Sequence, residues 1–142
     1  MPQTLAAPHS AASHTDIAPQ ALIRSWKDCG SDIAWVQVTG ELDIATAPAL
    51  ERTLFDAELR ARLVALDLRE LTFTDSCGVR VIVSASIRAD RAGRRLVLVR
   101  GPSQVDRMFA LTASDALEVV DLPPGEPLVH ARSQLAQQNH AA

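Results

Sequence analysis

Two short apolar runs constrain the fold of this chain more than any other feature. The first covers residues 63–66 and continues through Asp67 and Leu68, and the second covers residues 96–99. Such runs are typical of strands that are covered on both faces, as in a parallel sheet. Because a segment with helical periodicity lies between them, we expect strands joined by helical crossovers.

The segments on either side of these runs complete the pattern. Residues 22–26 and the alternating stretch 33–39, with a turn at 28–31 between them, predict an initial β-hairpin. Helical spacing of apolar residues predicts three helices, which begin near Thr46, after Ser76 and after Pro102. A last short strand is expected near residues 117–120. The order ββαβαβαβ, followed by an optional final helix, predicts an α/β protein with a mixed β-sheet.

The length of 142 residues suits one domain. Residues 1–16 are rich in Ala, Ser, Pro, His and Thr without apolar periodicity, which predicts a disordered N-terminal arm. The domain itself is expected at residues 17–122. Beyond it, residues 123–142 are expected to form a polar C-terminal tail or a weak helix.

Composition excludes several classes of function. A net charge of −3 and an aromatic content of 4% do not fit a nucleic-acid-binding surface. No stretch reaches the roughly 18 apolar residues of a membrane span, and residues 1–16 do not resemble a secretory signal. We therefore expect a cytoplasmic protein without a membrane or nucleic-acid partner.

Catalytic patterns are also absent from the sequence. The predicted βα core contains no histidine to serve as a base, and no glycine-rich phosphate loop occurs. The two cysteines lack the spacing of metal ligands. The four histidines all lie in the flanks, at His9, His14, His130 and His140. The sequence predicts a protein that is not an enzyme and has no cofactor or metal.

The loop at residues 73–78 is the candidate functional site. Ser76 lies between a buried strand and a helix, where helix N–H groups lack partners. A phosphate on Ser76 is expected to meet those N–H groups and the positive end of the helix dipole. Helix capping by Asp75 or Ser76 explains the same residues without a regulatory role. The residues alone leave both explanations open.

Four stretches carry a resemblance to a known family. They are Gly40-Glu41-Leu42-Asp43 with the helix start that follows, Leu66-Asp67-Leu68, Asp75-Ser76-Cys77-Gly78, and the last two elements from Ala92 and Pro102. In this combination the chain resembles the STAS-domain anti-sigma factor antagonists, whose switch motif is D-S-[ST]-G. The resemblance implies a STAS-like mixed sheet over roughly residues 22–121.

The resemblance also implies a partner-switching cycle. The unphosphorylated protein is expected to bind an anti-sigma factor that is a GHKL-type serine kinase, which releases a sigma factor. The kinase then phosphorylates Ser76 and ends the interaction, and a PP2C-type phosphatase restores it. The switch loop and partner-binding residues implied here are Asp43, Thr74, Asp75, Cys77, Gly78 and Arg80.

Three further hypotheses follow from the residues. Cys77 stands where the family has Ser or Thr, which favours a phosphorylation-independent STAS interaction scaffold as the alternative function. Cys77, with Cys29, is a candidate for redox control because a helix N-terminus lowers the pKa of a thiol. Arg80, Arg88 and Arg91 fall on one helix face and are a candidate docking surface for an acidic partner.

Overall fold

The computed structural model describes residues 14–18, 21–28, 30–112 and 117–135, with backbone alone for 14–18. In chain order its elements are β1 (His14–Ala18), β2 (Ala21–Lys27), β3 (Ile33–Leu42), α1 (Ala47–Arg60), β4 (Leu63–Asp67), β5 (Leu71–Thr74), α2 (Ser76–Arg91), β6 (Arg95–Val99), α3 (Ser103–Thr112), β7 (Glu118–Val120) and a 3-10 helix (Leu128–His130) that leads into helical residues 131–135.

The seven strands of the described residues form one mixed sheet. Its order is β1-β2-β3-β4-β6-β7, and β5 is a second partner of β3. The pairs β1–β2 and β2–β3 are antiparallel, whereas β3–β4, β4–β6 and β6–β7 are parallel. These pairings confirm the predicted α/β fold with a hairpin at its start and helical crossovers after it.

The length of β3 allows it to hold two parallel neighbours on the same side. Residues 33–37 pair with β4, and residues 40–42 pair with β5 after a register shift at Gly40. Gly40 has a φ of 98°, a conformation that favours glycine. The stretch 40–42, which lies beyond the predicted strand 33–39, is therefore the end of β3, and it leads directly to the candidate site.

Two strands lie outside the predicted order. β5 has four residues and was expected as part of a loop, and β1 includes residues 14–16, which were assigned to the N-terminal arm. β1 is a short edge strand that pairs with β2, the next strand along the chain. β5 pairs with the distant end of β3, so its pairing does not follow from a local pattern. The rest of the expected arm, residues 1–13, lies outside the described residues.

The two faces of the sheet are covered by different parts of the chain. Helices α1, α2 and α3 cover one face, where Val36, Leu54 and Ile82 are fully buried. On the other face, residues 122–135 pack against a second cluster that includes Trp35, and Leu135 is only 1% exposed. Residues 123–135, expected as a tail or weak helix, thus cover part of the sheet.

Arg69 attaches this C-terminal segment to the sheet. Its guanidinium donates to the carbonyl oxygens of Pro123 and Glu126 at 2.7 and 2.8 Å. The same group pairs with the fully buried carboxylate of Asp67, at 3.0 Å from Nε to Oδ1. Because Arg69 lies in the turn between β4 and β5, it links the C-terminal segment to the strand that carries the candidate site.

Helices α1 and α2 are joined by a largely buried ion pair. Arg88 Nε lies 2.7 Å from Glu58 Oε1, and Glu58 is only 5% exposed. Desolvation by burial raises the pKa of Glu58, and the pairing with Arg88 offsets part of that effect. Among the described residues, no helix is long and apolar enough to cross a membrane.

Candidate functional site

The candidate site lies where β3 and β5 end together and α2 begins. The backbone N–H of Asp75 donates to the carbonyl of Leu42 at 3.1 Å, which extends the β3–β5 pairing to the first residue after β5. The structure therefore brings the predicted loop 74–78 next to the end of β3. The side chains of this loop therefore lie at the carboxyl end of the parallel strands β3 and β5, where α/β proteins expose functional loops.

Asp75, and not Ser76, caps α2. One carboxylate oxygen of Asp75 accepts hydrogen bonds from the N–H groups of Cys77 and Gly78, at 2.9 and 3.1 Å. The backbone of Asp75 is extended, as expected for an N-cap residue. The capping explanation thus applies to Asp75, which leaves Ser76 without that role.

Ser76 is the first residue of α2, and its side chain is exposed. Within the described part of the chain its hydroxyl forms no hydrogen bond. The expectation that a phosphate would meet free N–H groups needs correction, because the carboxylate of Asp75 already occupies two of them. A phosphate on Ser76 would therefore lie beside the Asp75 carboxylate and would find these two N–H groups already occupied.

Gly78 permits α2 to begin this close to the strand ends. A Cβ at this position would lie 2.4 Å from Thr74 Oγ1 and 2.7 Å from Leu42 Cγ. Thr74 is 2% exposed and donates its hydroxyl to the carbonyl of Asp75 at 3.2 Å, and Leu42 is fully buried. Thr74 and Gly78 were both predicted as site residues. Both are buried, and their close packing fixes the position of the loop.

Asp43 and Thr46 form a second capping arrangement beside the loop. The N–H of Asp43 donates to Thr46 Oγ1 at 2.8 Å, and the Asp43 carboxylate accepts from the N–H groups of Ala45 and Thr46. The carboxylate of Asp43, predicted as a partner-binding group, therefore stabilises the approach to α1. Thr46 occupies the predicted N-cap position, but its hydroxyl bonds to Glu41 at the end of β3 and to Asp43, and not to α1.

Two exposed apolar side chains at the candidate site were not among the partner-binding residues that the resemblance implies. Ile44 follows β3 and is 74% exposed, and Phe73 in β5 is 47% exposed. Phe73 belongs to a segment that was expected to be a loop, so no strand pattern predicted that its side chain would face outward. Ile44 is a large aliphatic residue in a loop, and this feature of the sequence could have predicted an exposed apolar side chain at the site. Both fit a surface that a partner covers.

Cys77 is partly exposed and contributes its backbone N–H to the Asp75 cap. This contact does not depend on the side chain, so the cap tolerates cysteine where the family motif has Ser or Thr. Cys29, the other cysteine of the redox hypothesis, lies outside the described residues.

One of the three arginines on the predicted face of α2 is engaged in a contact with α1. Arg88 pairs with Glu58, and its guanidinium lies over the ring of Phe55 at 5.2 Å from the centroid. Arg80 and Arg91 are exposed and have no ion-pair partner among the described residues. The free positive charge of this face therefore comes from Arg80 and Arg91, whereas Arg88 is part of the α1–α2 contact.

Comparisons with known proteins identify a family for this chain and, separately, solved structures with a similar fold. Residues 28–130 match the STAS domain. An anti-sigma-B factor antagonist from Listeria monocytogenes is 30% identical over 95 residues, which are 66% of this chain and 83% of the Listeria protein. The anti-sigma factor antagonist SpoIIAA in its unphosphorylated form aligns with a TM-score of 0.60 and 15% identity, over 87% of this chain and 96% of its own. SpoIIAA from Bacillus in the phosphorylated form aligns with a TM-score of 0.58 and 13% identity, over 87% and 99%.

Proposed function

The chain belongs to the STAS domain family, among the anti-sigma factor antagonists, and we propose that phosphorylation of Ser76 switches its binding to an anti-sigma factor. In this proposal the unphosphorylated protein binds a GHKL-type anti-sigma serine kinase in the cytoplasm and so releases a sigma factor. The kinase phosphorylates Ser76 and ends the complex. A PP2C-type phosphatase removes the phosphate and restores binding.

The position of the Ser76 hydroxyl carries the proposal. It is exposed at the first residue of α2 and free of hydrogen bonds within the described part of the chain, because Asp75 caps the helix. A kinase needs a hydroxyl that it can reach without first breaking structure. A protein of the same fold exists in phosphorylated and unphosphorylated forms, which supports a switch of this kind.

The surroundings of Ser76 explain why a phosphate would end binding. Phosphorylation adds roughly −1.5 to −2 charges. The N–H groups of Cys77 and Gly78 are bonded to Asp75, whose own carboxylate repels the added charge. The exposed side chains of Ile44 and Phe73 make the surrounding surface apolar. Burying a phosphate under a partner at this place would desolvate it without full compensation.

Binding of Ser76 variants to the purified anti-sigma kinase of the source organism tests the proposal. Ser76→Ala should bind as wild type does, and Ser76→Asp should bind on the order of tenfold more weakly, because a charge is buried without a partner. Ser103→Asp is the matched control, since Ser103 is also an exposed first residue of a helix, α3.

Equal affinities of Ser76→Asp, Ser76→Ala and wild type would contradict the proposed switch. If the kinase binds the wild-type protein but does not phosphorylate it, the phosphorylation-independent scaffold is favoured instead.

A further inference from the structure

One face of α2 begins at Ser76 and stays exposed along the whole helix. It consists of residues three or four positions apart, which lie on the same side of an α-helix. All of them are exposed: Ser76, Arg80, Ser84, Ile87 and Arg91. We name these five residues the α2 stripe. Its 16-residue helix is about 24 Å long, so the stripe reaches far beyond the switch loop.

Helix α1 adds two apolar side chains next to the stripe. Phe55 is 50% exposed and Leu59, one turn further on, is 65% exposed. The Arg88 guanidinium is held by Glu58 at 2.7 Å while it lies over the Phe55 ring. Arginine and large aromatic residues in fixed positions are typical of the residues that dominate protein interfaces.

The apolar area is too small to be the interface of a second copy by itself. A large side chain offers about 150–250 Å², so Phe55 and Leu59 together expose roughly 200 Å², whereas a stable interface takes about 800 Å² from each partner. The α2 stripe connects this area to Ser76. The apolar area therefore fits the outer part of a larger surface that includes the switch loop.

The charge of the stripe indicates what kind of segment it accommodates. Arg80 and Arg91 flank Ile87 and have no ion-pair partner among the described residues. Two free cations on α2, with the apolar side chains of Phe55 and Leu59 on the neighbouring α1, complement a helix that has an apolar face with acidic residues at its margin.

We propose that the α2 stripe, together with Phe55 and Leu59, is a docking surface for an acidic amphipathic helix of the anti-sigma partner. This inference rests on the proposed function and extends the partner surface away from Ser76. Arg80 lies one turn after Ser76, so a phosphate on Ser76 has Arg80 within reach as an intramolecular partner. Phosphorylation then removes one of the two cations on which the acidic helix depends.

Two double variants test the surface with the purified kinase that phosphorylates Ser76 as the probe. Phe55→Ser/Leu59→Ser should weaken binding on the order of tenfold through faster dissociation. Arg80→Glu/Arg91→Glu should slow association at low salt, and the difference should shrink at high salt. The single variant Leu59→Ser guards against misfolding, because this side chain is mostly exposed.

The matched controls lie on α3. Leu111→Ser changes an apolar residue that is 75% exposed, and Arg107→Glu reverses an exposed charge. Both controls should bind within twofold of wild type. If the α2 and α1 variants also bind within twofold while Ser76→Asp binds weakly, the docking surface is wrong and the proposed function stands. If Ser76→Asp binds as wild type does, the proposed function itself fails, and the docking surface with it.

Discussion

Substitution of Gly78 by alanine should destabilise the protein, although alanine favours helices. In a helix interior, alanine is more favourable than glycine by about 1 kcal/mol. At Gly78, however, the new Cβ would lie 2.4 Å from Thr74 Oγ1 and 2.7 and 2.8 Å from two carbons of Leu42. Both neighbours are buried, so neither can move aside into solvent.

The magnitude follows from these opposing effects. Overpacking a buried site costs about 1–3 kcal/mol, and contacts this short place Gly78→Ala at the upper end of that range. After the gain in helix propensity, we expect a net loss of roughly 1–2 kcal/mol in the free energy of unfolding. In a Thr74→Ala background the closest contact is gone, so the same substitution should cost at least about 0.5 kcal/mol less.

Urea unfolding followed by tryptophan fluorescence measures both quantities, since Trp35 is buried in the sheet at 2% exposure. Ser84→Ala is the control for helix propensity because Ser84 is exposed within the same helix. If Gly78→Ala is as stable as wild type or more stable, the close approach of α2 to β3 and β5 is refuted.

Substitutions at three other positions give distinct expectations. Asp75→Ala removes the acceptor of two helix N–H groups and should cost about 1 kcal/mol in urea unfolding, with Asp75→Asn less damaging; equal stability of all three proteins would contradict the cap. Burial raises the pKa of Glu58, so its ionisation costs stability as the pH rises above the unfolded value of about 4.3. Glu58→Gln should therefore gain stability relative to wild type between that pH and neutrality, and a difference that is constant with pH would contradict the raised pKa. Arg69→Met leaves the buried carboxylate of Asp67 without its cation and should cost about 3 kcal/mol. It should also speed tryptic cleavage after Arg132 in the C-terminal segment, whereas unchanged cleavage would show that Arg69 does not hold that segment.

The regular part of the fold was predictable from local patterns. The apolar runs of β4 and β6 and the helical spacing of α1 and α2 each determine one element within a few residues. By contrast, β5 has four residues and forms only because the upper part of β3 offers it a partner. Such pairing is a property of tertiary structure, and a local pattern does not contain it.

The candidate site was predictable in position but not in the roles of its residues. The motif placed Ser76 at the start of α2, yet only the geometry shows that Asp75 forms the cap and that Asp43 stabilises the approach to α1. Arg88 fitted the helical face with Arg80, but its ion pair with Glu58 joins residues 30 positions apart. Contacts between distant residues of this kind decide which charges are free.

The most direct test of the central claim is the intact mass of the protein after incubation with magnesium-ATP and a lysate of the source organism, beside Ser76→Ala. The account predicts that wild type gains the mass of one phosphate and that Ser76→Ala gains none. Peptide mapping should place the phosphate on Ser76. If both proteins gain a phosphate, or if neither does while other proteins in the lysate are labelled, the assignment of Ser76 as the switch is contradicted.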